Sequence, residues 1–238
     1  MVAEKNSKHV MEKMSLNKYI DHTILKPTCL VADIEKVCAE AKQYDFAAVC
    51  VPPNFVKLAK EKLAGSTVQV ATVIGFPFGY SATEAKIAEI ILAIVDGVDE
   101  LDVVANIAAI KNGDWTAIAD EINHIMPIIR SKGKVIKIII ESGILTDDEI
   151  IKCCDIYGIA GIDYLKTSTG YAEKGASVEA VKLFRKHLPD QVQIKASGGI
   201  RDYATAQSMI AAGATRIGCS AGVAIVSGAN TDNVKSNY

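Results

Sequence analysis

The chain has no apolar run long enough to cross a bilayer. Stretches such as IAEIILAIV at 87–95 and VIKIIIE at 135–141 fall short of the roughly 20 residues that a spanning helix needs. The N-terminal segment, MVAEKNSKHVMEKM, has no signal-peptide core and reads either as a charged leader or as a first helix closing the bottom of the domain. A cytoplasmic protein with no membrane partner is expected. There is no C-x-x-C pair either: Cys29, Cys38, Cys50, Cys153, Cys154 and Cys219 are scattered, several of them inside apolar segments. That distribution favours reduced thiols and argues against a zinc site. Nor is there an excess of charge. Twenty-six Lys and Arg face 28 Asp and Glu, a net charge of -2, which is too little for nucleic-acid binding by bulk electrostatics. Half of the residues are hydrophobic, which excludes a disordered chain. These absences leave a globular protein acting on a small molecule.

What is present is an alternation. Short β-type runs (KYIDHTIL, FAAVCV, VQVATVIGFP, VDELDVVAN, KVIKIIIES, GIDYLKTS, VQIKASGG and RIGCS) are each followed by a segment of helical period. The helices are expected to start near Asp33, Pro53, Ser81, Thr146, Ser177 and Asp202, with one long helical stretch after the fourth strand running through Arg130. TDDE at 146–149 is a capping-box pattern, and Ser177 with Glu179 makes a second plausible cap. Val- and Ile-rich strands alternating with helices imply a parallel sheet covered on both faces. Eight units in a chain of this length predict the α/β class and a single (β/α)8 TIM barrel, residues 1–238, with a mobile tail from about residue 229; a doubly wound open sheet is the alternative. In such a barrel the site lies at the C-terminal ends of the strands.

Those ends carry Asp21, Thr23, Cys50, Asp102, Lys137, Lys166, Lys195 and Ser220. The three lysines recur at 29-residue intervals, about one unit each, so successive strands would aim three amines at one mouth. Taken singly, each has a plainer reading as a solvated flank. Lys137 does not fit that reading, because VIKIIIE surrounds it with apolar residues, and an inward lysine needs a carboxylate or a function. Asp102 is its natural partner, and a structural salt bridge would satisfy both. Lys166 and Lys195 would then repel one another, and desolvation adds to the pressure for one of them to lose its proton. A neutral amine attacks a carbonyl carbon and forms an iminium. Lys166 is the candidate nucleophile, with Lys195 as its charged neighbour.

Two glycine-rich loops open the helices of consecutive units, KASGGI at 195–200 and GCSAG at 218–222. Their backbone N–H groups suit an anion. Tight βα turns are the other explanation.

The segments DHTILKP, ELDVVAN, KTSTGY, KASGGI and IGCSAGVAIV, in this order from about Tyr19 to Val226, resemble the signature segments of the deoxyribose-phosphate aldolases, class I aldolases of barrel fold that use no metal. The resemblance implies reversible cleavage of 2-deoxy-D-ribose 5-phosphate to D-glyceraldehyde 3-phosphate and acetaldehyde, without a cofactor. It makes Lys166 the Schiff-base lysine, Lys195 the group that perturbs its pKa and relays protons, Asp102 an acid/base working with water, and Lys137 a support for Asp102. Asp21, Thr23 and Cys50 would line the pocket, and Thr169, Gly170, Gly198, Gly199 and Ser220 would hold the phosphate. Tyr238 would assist proton transfer, unless the polar tail plays no part. Some members carry a basic residue where this chain has Tyr171, and many carry a serine where it has Ala221, so two phosphate contacts are lost and tolerance of unphosphorylated aldehydes is expected. A homodimer is an open expectation. Two alternatives stay open: a Schiff-base aldolase for keto acids, for which Arg201 would bind the carboxylate, and a non-catalytic sugar-phosphate-binding barrel.

Overall fold

Runs of β-branched residues can bury both faces only inside a sheet flanked by helices, and the computed structural model shows how the chain achieves this. It describes residues 15–228; the expectations for the first 14 residues, for the tail and for Tyr238 lie outside the described residues. In chain order the elements are β1 (Ile20–Thr23), α1 (Val31–Gln43), β2 (Ala48–Val51), α2 (Val56–Lys62), β3 (Gln69–Ile74), α3 (Thr83–Val95), β4 (Glu100–Val104), α4 (Ile107–Lys111) and α5 (Trp115–Ser131). They continue with β5 (Val135–Ile139), α6 (Asp147–Ala160), β6 (Tyr164–Lys166), α7 (Val178–His187), β7 (Gln193–Ser197), α8 (Tyr203–Ala211), β8 (Arg216–Cys219) and α9 (Gly222–Ser227). All eight strands are parallel, and β8 pairs with β1 to close the barrel. The open-sheet alternative is thereby excluded.

Local signals place the helix starts. Thr146 accepts a hydrogen bond from the Glu149 N–H at 3.3 Å, and Glu149 accepts one from the Thr146 N–H at 2.7 Å, so the capping box forms. Ser177 caps α7 through the Ala180 N–H at 3.1 Å. The long helical stretch expected after the fourth strand is two helices. Gly113 takes a left-handed φ of +69°, and the Asp114 carboxylate accepts from the Ala117 N–H at 3.1 Å, so a stop and a fresh cap fall together.

Outward-facing strand residues (Val49, Val70, Leu101, Ile136, Leu165 and Ile194 among them) pack against Ile34, Ile90, Ile122 and Phe184 of the helices in one continuous core. Each fully buried aliphatic side chain of this kind stabilises the fold by roughly 1.5–3 kcal/mol. Across one side of the shell runs a buried ion pair. The Lys86 ammonium, on α3, donates to Glu121 of α5 at 2.7 Å and to the Val104 carbonyl at the end of β4 at 2.8 Å. Gly75 leaves room for its stem, since a Cβ there would come within 2.8 Å of Lys86 Cε. The barrel interior has no comparable apolar filling. Leu25, Cys50, Ala71 and Val73 form a small cluster on one side, and charged residues occupy the other.

Candidate active site

Alternation along a strand sends every second side chain inward, and the barrel register decides which of them meet. Asp102 is the cross-strand partner of Lys137, Lys166 of Lys195, and Lys195 of Arg216. Five adjacent strands, β4 to β8, and β1 therefore deliver their charges to one interior. Lys137 donates to Asp102 Oδ1 at 2.7 Å and lies 2.6 Å from Glu100. Lys166 and Lys195 donate to Asp102 Oδ2 at 2.8 and 2.7 Å. Lys195 also contacts the Asp21 carboxylate, and Arg216 holds the other oxygen of Asp21 at 2.6 Å while reaching Glu100 at 3.2 Å. Lys137, Lys195, Asp21 and Asp102 are fully buried, and Lys166 is only 3% exposed.

The network joins four cationic side chains to three carboxylates, so full protonation leaves a positive charge without a counter-charge in a low-dielectric interior. Burial pushes the Lys166 amine below its ordinary value; Asp102 opposes this, and Lys195 adds to it. Burial acts on Lys195 too, but Asp102 and Asp21 outweigh it and hold that ammonium well above the usual range. Lys137 is likewise raised, by Asp102 and Glu100 against burial. Burial works against the Asp102 charge, yet the surrounding ammonium groups hold its carboxyl well below the usual carboxylate range. Of the four cations, only Lys166 is driven toward the neutral form, and it is a potential nucleophile at the end of its strand.

The chain from Gly170 to Gly175, a few residues past Lys166, faces the loops after β7 and β8 across a cavity of about 160 Å3, whose lining includes Gly170, Glu173, Gly198, Gly199, Arg201 and Ser220. Gly198 and Gly199 have left-handed φ values of +95° and +80°, a conformation that side chains other than glycine rarely adopt. The cavity is polar and of a size to take a phosphate-like group. A larger cavity of about 560 Å3 lies outside the barrel between α1 and α9; it shares Thr23 and Ser220 with the mouth but touches none of Lys137, Lys166 and Lys195.

Several residues stand elsewhere than the sequence suggests. Lys137, Lys195 and Asp102 are mid-strand, with Ile139, Ser197 and Val104 ending those strands, so they lie deeper than Lys166 instead of level with it at the mouth. Asp21 faces inward as a counter-ion of Lys195 and Arg216, with no exposed surface to line a pocket. The Thr23 hydroxyl donates to the Asp21 carbonyl at 2.8 Å, which commits its proton. Cys50 is fully buried, and burial together with the Asp102 charge pushes its thiol up to about 11. Thr169 does not join the polar cavity: its hydroxyl donates to Glu141, a buried carboxylate just past the neighbouring strand, and accepts from the Tyr171 N–H at 3.0 Å.

Sequence reasoning missed Glu100, Arg216 and Glu141. Glu100 was legible, two residues before Asp102 and so on the same strand face. Arg216 opens its strand, at the end away from the mouth where the site is expected. Glu141 follows Lys137 and Ile139 on the same alternation, but its left-handed backbone (φ +55°) has no sequence signal.

Comparison with known proteins agrees with this geometry. The description "DeoC/LacD family aldolase" matches residues 15–228. A deoxyribose-phosphate aldolase of Streptococcus suis (strain 98HAH33) is 50% identical over 219 residues, covering 92% of this chain and 99% of the relative. One from Thermococcus gammatolerans is 50% identical over 221 residues, covering 92% and 98%. Among solved structures, the tetrameric deoxyribose phosphate aldolase from Aeropyrum pernix superposes with a TM-score of 0.81 at 31% identity, covering 89% of each chain.

Proposed function

The chain belongs to the DeoC/LacD family of aldolases, and we propose that it reversibly cleaves 2-deoxy-D-ribose 5-phosphate to D-glyceraldehyde 3-phosphate and acetaldehyde through a Schiff base on Lys166. The observation that carries this reading is the sharing of one Asp102 oxygen by Lys166 and Lys195, which gives a buried amine a reason to be neutral beside an ammonium that stays charged.

The neutral Lys166 amine adds to the C1 carbonyl of the open-chain sugar. Asp102 lies within hydrogen-bond reach of the reacting nitrogen, and Lys195 donates to the same Asp102 oxygen, so the two would pass protons as the carbinolamine loses water to give the iminium. Removal of the C3 hydroxyl proton then breaks the C2–C3 bond, and its electron pair flows into the iminium to form an enamine. Glyceraldehyde 3-phosphate departs, carbon protonation of the enamine regenerates an iminium, and water releases acetaldehyde. Lys137, itself held by Glu100, would keep Asp102 ionised and fixed. Gly170, Gly198, Gly199 and Ser220 would hold the phosphate, with backbone N–H groups supplying most of the donors.

Arg201 lines the polar cavity rather than the lysine cluster, which favours a phosphate at that end over a keto-acid carboxylate next to the Schiff base. A non-catalytic barrel would have no use for the buried surplus of cations. The purified protein should release acetaldehyde and triose phosphate from 2-deoxyribose 5-phosphate, and Lys166→Ala should not; binding without turnover would favour the non-catalytic reading.

No helix among the described residues is long and apolar enough to cross a membrane. The Aeropyrum relative is tetrameric, and this chain exposes Leu92 and Val95 on α3, so we infer a homo-oligomer. Light scattering gives its stoichiometry, and a monomer would refute the inference.

A further inference from the structure

The loop after β6 crosses the barrel mouth. The Tyr171 hydroxyl donates to the Leu25 carbonyl at 3.1 Å, joining the loop after β6 to the loop after β1, three strands away around the closed barrel. Its ring meets Phe76, which follows β3, edge to face at 5.4 Å between centroids. The other end of this strap is also fixed. The Tyr171 N–H donates to Thr169 Oγ1, while the Thr169 hydroxyl and N–H both donate to Glu141 Oε2. Glu141 is buried and held in the left-handed region, and strain of this kind persists where the surroundings enforce it, most often at functional sites.

What lies under the strap gives it a purpose. Leu25 packs with Cys50, Ala71 and Val73, and with the partly buried Phe76, in a cluster separate from the main core. Val73 is the register partner of Asp102, so this apolar wall stands beside the carboxylate to which Lys166 donates, and Tyr171 meets the wall through Phe76 and Leu25. On its far side the ring borders an apolar cavity of about 320 Å3, with Phe78, Tyr80, Ile107 and Ile144, into which it can turn.

We propose that Tyr171 is a specificity-determining residue: it roofs the donor half of the site and limits the carbonyl compound carried on Lys166 to two carbons. The inference rests on the Schiff-base reading above. Exclusion of one methyl group by a packed wall discriminates by about 10–200-fold, so the effect is measurable.

The test is the rate of addition of acetaldehyde, propanal and acetone to glyceraldehyde 3-phosphate, with wild type, Tyr171→Phe and Tyr171→Ala, each first checked for borohydride-trapped acetaldehyde on Lys166. Tyr171→Ala should raise kcat/KM for propanal and for acetone, relative to acetaldehyde, by about tenfold or more. Tyr171→Phe keeps the ring but loses one neutral hydrogen bond, so it should relax the ratio only about threefold. Ratios within twofold of wild type in Tyr171→Ala, with the adduct still on Lys166, would overturn the assignment. A uniform fall for all three donors would also overturn it, leaving Tyr171 a merely structural part of the loop. Absence of an acetaldehyde adduct in the wild type would refute the Schiff-base reading and this inference with it.

Discussion

Lys166 and Lys195 donate to the same oxygen of Asp102, at 2.8 and 2.7 Å. Two ammonium groups so placed compete for one counter-charge, and the loser is decided by what else each touches. Lys195 has Asp21 as a second carboxylate, whereas Lys166 has Asp102 alone. The asymmetry is thus built from the closure of the barrel, which sets Lys195 between the Asp21 charge of β1 and the Asp102 charge of β4.

The first consequence is a pH dependence. Because attack needs the neutral amine, kcat/KM should rise with pH through the Lys166 pKa, which lies below the ordinary lysine value. In Lys195→Met the like charge is gone and Asp102 Oδ2 serves Lys166 alone, so that pKa rises and the acid limb moves to higher pH. A limb that stays in place would show that Lys195 does not set the protonation of Lys166.

Asp102→Asn should lower kcat by about 10²–10⁴-fold, the usual scale of an acid/base group. It also deprives the buried Lys137 and Lys195 ammonium groups of a shared counter-charge, so denaturant unfolding should show a loss of about 3–5 kcal/mol. Near-normal kcat in the folded variant would exclude Asp102 from proton transfer.

Ser220→Ala should raise KM for 2-deoxyribose 5-phosphate about tenfold, as expected for loss of a hydrogen bond to a charged group, and leave KM for 2-deoxyribose unchanged. Equal effects on both sugars would place the phosphate outside the cavity of Gly170, Gly198 and Gly199.

The Lys86–Glu121 pair offers a test away from the chemistry. Glu121→Leu strands a buried ammonium and should cost about 3–5 kcal/mol, while Lys86→Met combined with Glu121→Leu should recover most of it. Additive losses in the double variant would show that the bond from Lys86 to the Val104 carbonyl, and not the ion pair, is what matters.

The fold was legible because its signals are local: β-branched runs, a capping box at Thr146 and a cap at Ser177 each act within a few residues. The exception proves the same point, since Gly113 and Asp114 are a stop and a start whose joint effect divides the stretch after β4. The lysines were legible through their spacing, which follows the βα repeat. What the repeat does not encode is depth. Lys137 and Lys195 look like strand-end residues in the sequence and are mid-strand in the barrel, because strand length depends on closure around the ring. Asp21 and Arg216 become partners only when β8 pairs with β1, a contact between opposite ends of the chain. The family resemblance assigns Thr169 to the phosphate; the buried Glu141 carboxylate that its hydroxyl meets comes with a backbone conformation that has no sequence signature.

The central claim is that Lys166 is the nucleophile. Incubating the protein with acetaldehyde and borohydride and mapping its peptides should show a gain of about 28 Da, a reduced two-carbon Schiff base, on Lys166 and little on Lys137 or Lys195. Adduct chiefly on Lys195 or Lys137 would contradict the account of which amine the network leaves neutral, and the absence of any selective adduct would contradict the Schiff-base mechanism itself.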